Sequence, residues 1–240
     1  MDLEGRKVVV IGGSSGIGLA VVRAVLAEGG QIVIASRGKD KLEKVRAELG
    51  AGSRVRTAVV DIGREEDVAR LFDEAGEVHH VVVTAADAAY QPIRTFDIAA
   101  ARRVIDSKLL GPFIVAKHAA GHVVPRGSIT FTSGIAFERP APNGSMVAAV
   151  NGALVSLARA LAIELAPIRV NAISPGWIDT PIWDKLAGDG KSAVFQKMAE
   201  RLPAGRIGRP EELAHAMIFL MENDFTTGTV LHVDGGHRLA

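Results

Sequence analysis

The residues with the clearest chemical task are Gly12, Gly13, Ser14, Ser15, Gly16, Ile17 and Gly18. They follow the apolar run Val8-Val9-Val10-Ile11 and open into Leu19-Ala20-Val21-Val22, so a buried strand feeds a helix through a turn almost bare of side chains. Such a turn lets backbone approach a pyrophosphate and aims the free N–H groups and positive end of the following helix at its oxygens. Strand, glycines and helix in this order are the context that marks a dinucleotide site. A second apolar run, Ile32-Val33-Ile34-Ala35, ends at Ser36-Arg37. An acid there would bond a ribose 2′-hydroxyl and repel a 2′-phosphate. A hydroxyl and a guanidinium favour the phosphate instead, through a donated hydrogen bond and a charge-assisted pair. The expected cofactor is therefore NADP(H) in preference to NAD(H). Asp61-Ile62 ends a third run, where the carboxylate either accepts from an adenine amino group or caps the next helix.

These strand ends need a scaffold that gathers them at one edge. Between the first two runs lies an amphipathic stretch, Gly16 to Glu28, which completes a β-α-β unit. The spacing then predicts a helix over Lys39 to Glu48, a strand over Val55 to Val60, a helix over Glu65 to Glu74 and a strand over Val78 to Thr84. Further on, Ala99 to Val123 and Val147 to Leu165 read as long helices, with short strands at Ser128 to Thr132 and Ile168 to Ile173. A helix at Glu211 to Met221 and a strand at Thr229 to Val233 close the pattern. Regular alternation predicts an α/β fold, a doubly wound parallel sheet with helices on both faces and ligands at the carboxyl ends of the strands. No Pro-rich or Ser-rich linker interrupts it, so residues 1–240 are expected to form a single domain.

Composition narrows the function classes. The 240 residues are 48% hydrophobic, enough for a sizeable core, and the formal charge of +1 favours neither nucleic acid nor an anionic membrane. No uninterrupted apolar stretch reaches the roughly 18 residues of a spanning helix, and a cytoplasmic protein is expected. Without cysteine there is no thiolate nucleophile or thiolate metal site. His118, His122, His215, His232 and His237 lack metal-ligand spacing with carboxylates, and His79 and His80 stand ahead of the fourth strand, at the end of the sheet away from the chemistry. No metal site is expected.

The sequence resembles the short-chain dehydrogenase/reductase family along essentially its whole length. The match rests on Gly12-x-x-x-Gly16-Ile17-Gly18, on Asp61-Ile62, on Asn171-Ala172-Ile173-Ser174-Pro175-Gly176 followed by Thr180, and on Gly228 with Val233-Asp234-Gly235-Gly236. The resemblance implies a Rossmann-type sheet of about seven strands and hydride transfer between a nicotinamide and a carbonyl or alcohol. It places Pro175, Gly176, Ile178 and Thr180 at the nicotinamide end, and Ala85 and Ala86 beside the cofactor in the stretch Thr84-Ala85-Ala86-Asp87, where the family reads Asn-Asn-Ala-Gly.

At the family's catalytic positions the chain departs from the pattern. The Tyr-x-x-x-Lys pair, which shares one helical face because its members are four residues apart, is Val147 and Asn151 here. The catalytic Ser falls at Gly134, with Ser133 one residue early and so turned to the other face of its strand. The family's Asn falls at Lys108. Lys and Asn have thus exchanged positions, which would keep one cation and one amide near the nicotinamide ribose. Asp87 and Tyr90, the chain's one tyrosine, are further candidates for handling a proton, since their loop faces the cofactor cleft in the family.

From Trp177 to Arg206 the regular alternation stops, and in the family this region is a mobile lid over the substrate. Trp177 and Trp183 are expected to form an apolar wall suited to a small organic ligand. The two long helices, rich in Ala, suit the family's dimer and tetramer contacts, so a homotetramer or homodimer is expected. Two functions remain open: a nucleotide-binding sensor or partner subunit without ordinary turnover, and an NADP(H)-dependent oxidoreductase in which Lys108, Asp87, Tyr90, water or the substrate handles the proton. Nucleic-acid binding lacks a basic patch.

Overall fold

Val8 and Val10 point into one hydrophobic core and Val9 and Ile11 into another. A run of consecutive apolar residues is therefore what a strand covered on both faces requires. A computed structural model describes residues 3–85, 87 and 89–240, with every side chain among them except that of Lys185. Its strands are β1 (Lys7–Ile11), β2 (Gln31–Ser36), β3 (Val55–Val59), β4 (Val78–Val83), β5 (Val123–Thr132), β6 (Arg169–Pro175) and β7 (Val230–Val233). They pair in parallel, in the order β3-β2-β1-β4-β5-β6-β7. The expected doubly wound α/β sheet is what forms, and its order reverses between β1 and β4, where such sheets open a ligand crevice.

One face is covered by α1 (Gly16–Ala27), α2 (Lys39–Leu49) and α9 (Pro210–Glu222), through Val21, Leu42 and Met217. The other carries α3 (Glu65–Ala75), α5 (Gly111–Ala119) and α6 (Ser145–Glu164), through Phe72, Val115 and Leu154. α6 is long and apolar enough to cross a bilayer by composition, yet Val147, Val150, Leu154, Leu157 and Leu161 along it are buried inside the fold. The segment from Trp177 to Arg206 carries α7 (Ile182–Ala187) and α8 (Lys191–Ala199).

Three departures from the sequence reading have local causes. Val123 is a strand residue rather than the end of a helix. It pairs with Val78, and a register shift before His80 absorbs the Pro125-Arg126-Gly127 stretch ahead of the expected strand. His79 and His80 lie within β4, inside the bounds expected for that strand rather than ahead of it, and they stay at its amino end. The long helix is α4 (Ile98–Ile105) and α5 joined by a π turn over Asp106–Leu110. Pro112 accounts for that turn: it has no N–H for the carbonyl of Lys108, and its ring would strike that carbonyl in a regular helix.

Candidate functional site

The glycine turn is shaped for close backbone approach. A Cβ on Gly12 would sit 2.5 Å from the Ala85 nitrogen and 2.6 Å from Thr84 Oγ1, and one on Gly18 would strike the Gly12 carbonyl. Gly16 adopts φ +51°, a left-handed conformation open to glycine. Ser15 is the N-cap of α1 without a side-chain capping bond, and the first turn of the helix holds no acid, so its positive end is uncompensated. Thr180 faces Gly16 from the other side, 3.4 Å from the place of its missing Cβ. Ser14 is buried in the turn, and Ile17 packs against the α1 side of the core.

Along the strand ends, Ala85 donates its N–H to the Ile11 carbonyl at 3.1 Å and Gly12 donates to Ala35 at 2.8 Å. Ser36 Oγ is buried and makes no hydrogen bond to any described residue. Asp61 Oδ1 accepts the Gly63 N–H at 3.0 Å, so this carboxylate closes a turn, while the N-cap of α3 is Arg64. Ile62 is buried beneath Gly111. Pro175 ends β6, and Gly176 donates to the Val233 carbonyl at 3.0 Å. The Ile178 side chain is buried with Leu213 and Met217, so what it can turn to the cleft is its backbone. Ala86 lies outside the described residues.

The other half of the cleft is built from side chains. The π turn presents consecutive residues inward. Ser107 Oγ accepts the Asp87 N–H at 3.1 Å, and Lys108 Nζ donates to the Ser133 carbonyl at 3.3 Å. Burial pushes the Lys108 pKa down to about 8. Ser133 Oγ, buried, donates to the Asn151 carbonyl at 2.9 Å, which turns it to α6 and away from the cleft. Asn151 Nδ2 donates to the Gly134 carbonyl at 3.1 Å, and Asn151 Oδ1 is buried with no donor among the described residues. A Cβ on Gly134 would lie 2.9 Å from Asn151 Nδ2. The amide therefore occupies the space beside Gly134 that a longer residue there would need. Val147, one turn before Asn151 on α6, is 5% exposed and brings no polar atom.

The two remaining proton candidates stand elsewhere. Asp87 holds Arg37 with both oxygens, at 3.1 and 3.3 Å. Tyr90 is half exposed with its ring near Gly144, and partial burial raises its pKa, which keeps the phenol protonated. The aromatics of the Trp177 to Arg206 segment stack on each other. Trp177 and Trp183 have centroids 4.3 Å apart, Phe195 meets Trp183 edge-on, and Trp183 Nε1 donates to the Ile178 carbonyl at 2.9 Å. Lys191 pins this layer through Asp179 at 2.7 Å and Asp184 at 2.9 Å. Among the described residues no group of three His or acidic side chains is placed to hold a metal ion.

The Ser133 and Asn151 bonds and the Arg37–Asp87 pair were not read from the sequence, because each joins residues distant along the chain. The π turn had a signal in Gly111-Pro112.

The cleft fits a dinucleotide. A cradle that any Cβ would fill lies at its centre, with an orphaned hydroxyl, Ser36 Oγ, on the β2 side and an orphaned amide oxygen, Asn151 Oδ1, on the α6 side. Known proteins agree. Residues 11–238 match a family model described as enoyl-(acyl carrier protein) reductase. The chain is 37% identical to the cis-4-hydroxycyclohexanecarboxylate dehydrogenase of Sinomonas cyclohexanicum, over 97% of this chain and 96% of that protein. It is 33% identical to the MalC reductase/Diels-Alderase of Malbranchea aurantiaca, whose structure superposes with a TM-score of 0.93 over 99% of this chain and 98% of that one. A small-chain dehydrogenase in complex with NADPH superposes with a TM-score of 0.87 at 34% identity, over 99% of this chain and 100% of that one. The chain belongs to the short-chain dehydrogenase/reductase family.

Proposed function

We propose that this chain is an NADP(H)-dependent oxidoreductase, acting as one dinucleotide-binding domain, in which Lys108 handles the proton that the family's tyrosine handles. The observation that carries this reading is the Lys108 ammonium, drawn inward to the Ser133 carbonyl beside Gly134 and Asn151, with its pKa pushed down to about 8. A cation that loses its proton readily near neutral pH meets the requirement for general acid–base work. A bound nicotinamide would supply or accept the hydride. In reduction Lys108 gives one N–H proton to the substrate oxygen as the carbonyl carbon is reduced, and recovers it from solvent; in oxidation neutral Lys108 takes the alcohol proton. Gly12, Ser14, Ser15, Gly16 and Gly18 hold the pyrophosphate, Ser36 and Arg37 the adenosine ribose, and Asn151 Oδ1 accepts from a nicotinamide ribose hydroxyl. The absence of an acid at the end of β2, and an NADPH complex in a relative, support NADP(H) over NAD(H).

The lid supports a small, apolar organic substrate, since Trp177, Trp183 and Phe195 form its aromatic layer. The reductase/Diels-Alderase relative supports a substrate range beyond simple ketones. Exposed Ile98, Leu110 and Phe113 along the α4–α5 unit support a homodimer or homotetramer, to be read by light scattering.

The test is NADPH oxidation by the purified protein with a panel of ketones, quinones and aldehydes. Turnover is expected, and Lys108→Met should lower it about 10²- to 10⁴-fold without changing NADPH affinity. A second reading, nucleotide binding without turnover, is favoured by Val147, which puts a hydrocarbon where the family has its proton donor. Tight NADPH binding with no oxidation by either protein would establish it.

A further inference from the structure

Arg37 follows β2 and Asp87 follows β4, and β1 lies between those strands. Two strand spacings of about 4.8 Å each separate their starting points, so the ion pair spans the end of β1, above the Gly12-Gly13 turn. The contact is a fork: Nη1 to Oδ2 at 3.3 Å and Nη2 to Oδ1 at 3.1 Å. Asp87 is held in place by its backbone, through the N–H given to buried Ser107. Its side chain is 39% exposed and that of Arg37 64%, so the pair is solvated and opens at small cost.

We infer that Asp87 is a specificity-determining residue that competes with the ribose 2′-phosphate of NADP(H) for Arg37. The inference rests on the reading of the glycine turn as a dinucleotide cradle. Both faces of a bidentate carboxylate pair are used on the side of the guanidinium that meets it. A 2′-phosphate at that edge must therefore take N–H groups from Asp87, and one at the side edge, where Nε–H lies, must tolerate the paired carboxylate nearby. A 2′-hydroxyl makes no such demand, and the pair stays closed above it. Arg37 by itself points to a strong preference for NADP(H); Arg37 with Asp87 narrows that preference. The cation selects the phosphate while its partner taxes it.

The experiment uses adenosine probes on the whole protein, which report this end of the cleft without any reaction. Affinities of 5′-ADP and 2′,5′-ADP are measured by calorimetry for the wild type, Asp87→Asn, Arg37→Ala and the double variant. The amide keeps the shape of Asp87 and removes its charge. Asp87→Asn is expected to tighten 2′,5′-ADP about two- to fivefold, the scale of an exposed pair, and to leave 5′-ADP unchanged; with Arg37→Ala most of that gain should vanish. An undiminished gain in the Arg37→Ala background would overturn the inference, because the carboxylate would then only repel the phosphate directly. So would no gain at all. Failure of the wild type to bind 5′-ADP would refute the cradle reading itself, and the two failures are therefore distinct.

Discussion

The two halves of the cleft are built on opposite principles. From β1 to the start of α1 the working parts are backbone N–H groups and the absence of side chains, and a Cβ at Gly12 or Gly18 meets main-chain atoms that have nowhere to go. From the π turn to α6 the working parts are side chains that answer one another: Gly134 makes room for Asn151, Asn151 bonds Gly134, its carbonyl takes Ser133, and Lys108 takes the carbonyl of Ser133. A backbone site can be altered only by breaking it. A side-chain site can be rewritten, provided that neighbours change together, and in this chain the family's four positions read Lys108, Gly134, Val147 and Asn151.

Three substitutions set the halves against each other, in falling order of effect. Gly18→Ala forces a methyl onto the Gly12 carbonyl and should cost about 1–3 kcal/mol or more of stability, together with loss of measurable NADPH binding by calorimetry. Retained binding would mean that the turn does not hold the pyrophosphate. Gly134→Ala should cost up to about 1–3 kcal/mol by overpacking against Asn151, and most of that cost should disappear in an Asn151→Ala background. Denaturant unfolding of the four proteins gives the coupling, and additive effects would show that Gly134 and Asn151 are independent.

The third and smallest effect is the pH dependence of Lys108. Its folded pKa of about 8 lies below the ordinary 10.5, so between these values the unfolded chain holds more protons and stability rises with pH. Below pH 8 the full penalty for burying the ammonium is present. Lys108→Met should therefore be more stable than the wild type at pH 7, and the difference should shrink from pH 8 to 10.5. A difference independent of pH would place the ammonium in solvent. Under the role proposed for Lys108, an acid with this pKa loses its proton as pH rises, and reduction should slow above pH 8.

The Trp177 to Arg206 segment and the far side of the sheet show how legibility falls with distance along the chain. Trp177 and Trp183 announce an aromatic layer, but their mutual stacking and the bond from Trp183 to Ile178 depend on how the segment turns back on itself. Ile178, expected at the nicotinamide, sends its side chain into the core, where Gly208 leaves room for it. Asp61, open in sequence between adenine and a cap, does not cap α3 but closes a turn on Gly63 through Oδ1. Arg37 was readable as a cation at the end of β2, whereas its partner lies fifty residues away in sequence. The π turn sits between these cases, since Pro112 forbids a regular helix through Lys108 without dictating which side chains the wider turn will present.

What the residues determine unaided is whatever depends on local conformation: apolar runs that must be covered on both faces, helices between them, and a glycine turn that no other residue could adopt. These follow from sterics and periodicity within a few positions of the chain. What required the tertiary structure is every interaction whose strength depends on separation in space. The inward position of the Lys108 ammonium, the fit of Asn151 against Gly134 and the clasp of Asp87 on Arg37 exist only once the sheet has brought β2, β4, β5 and α6 to one edge, because charge and hydrogen bonding act over a few ångströms and residue order does not specify those distances.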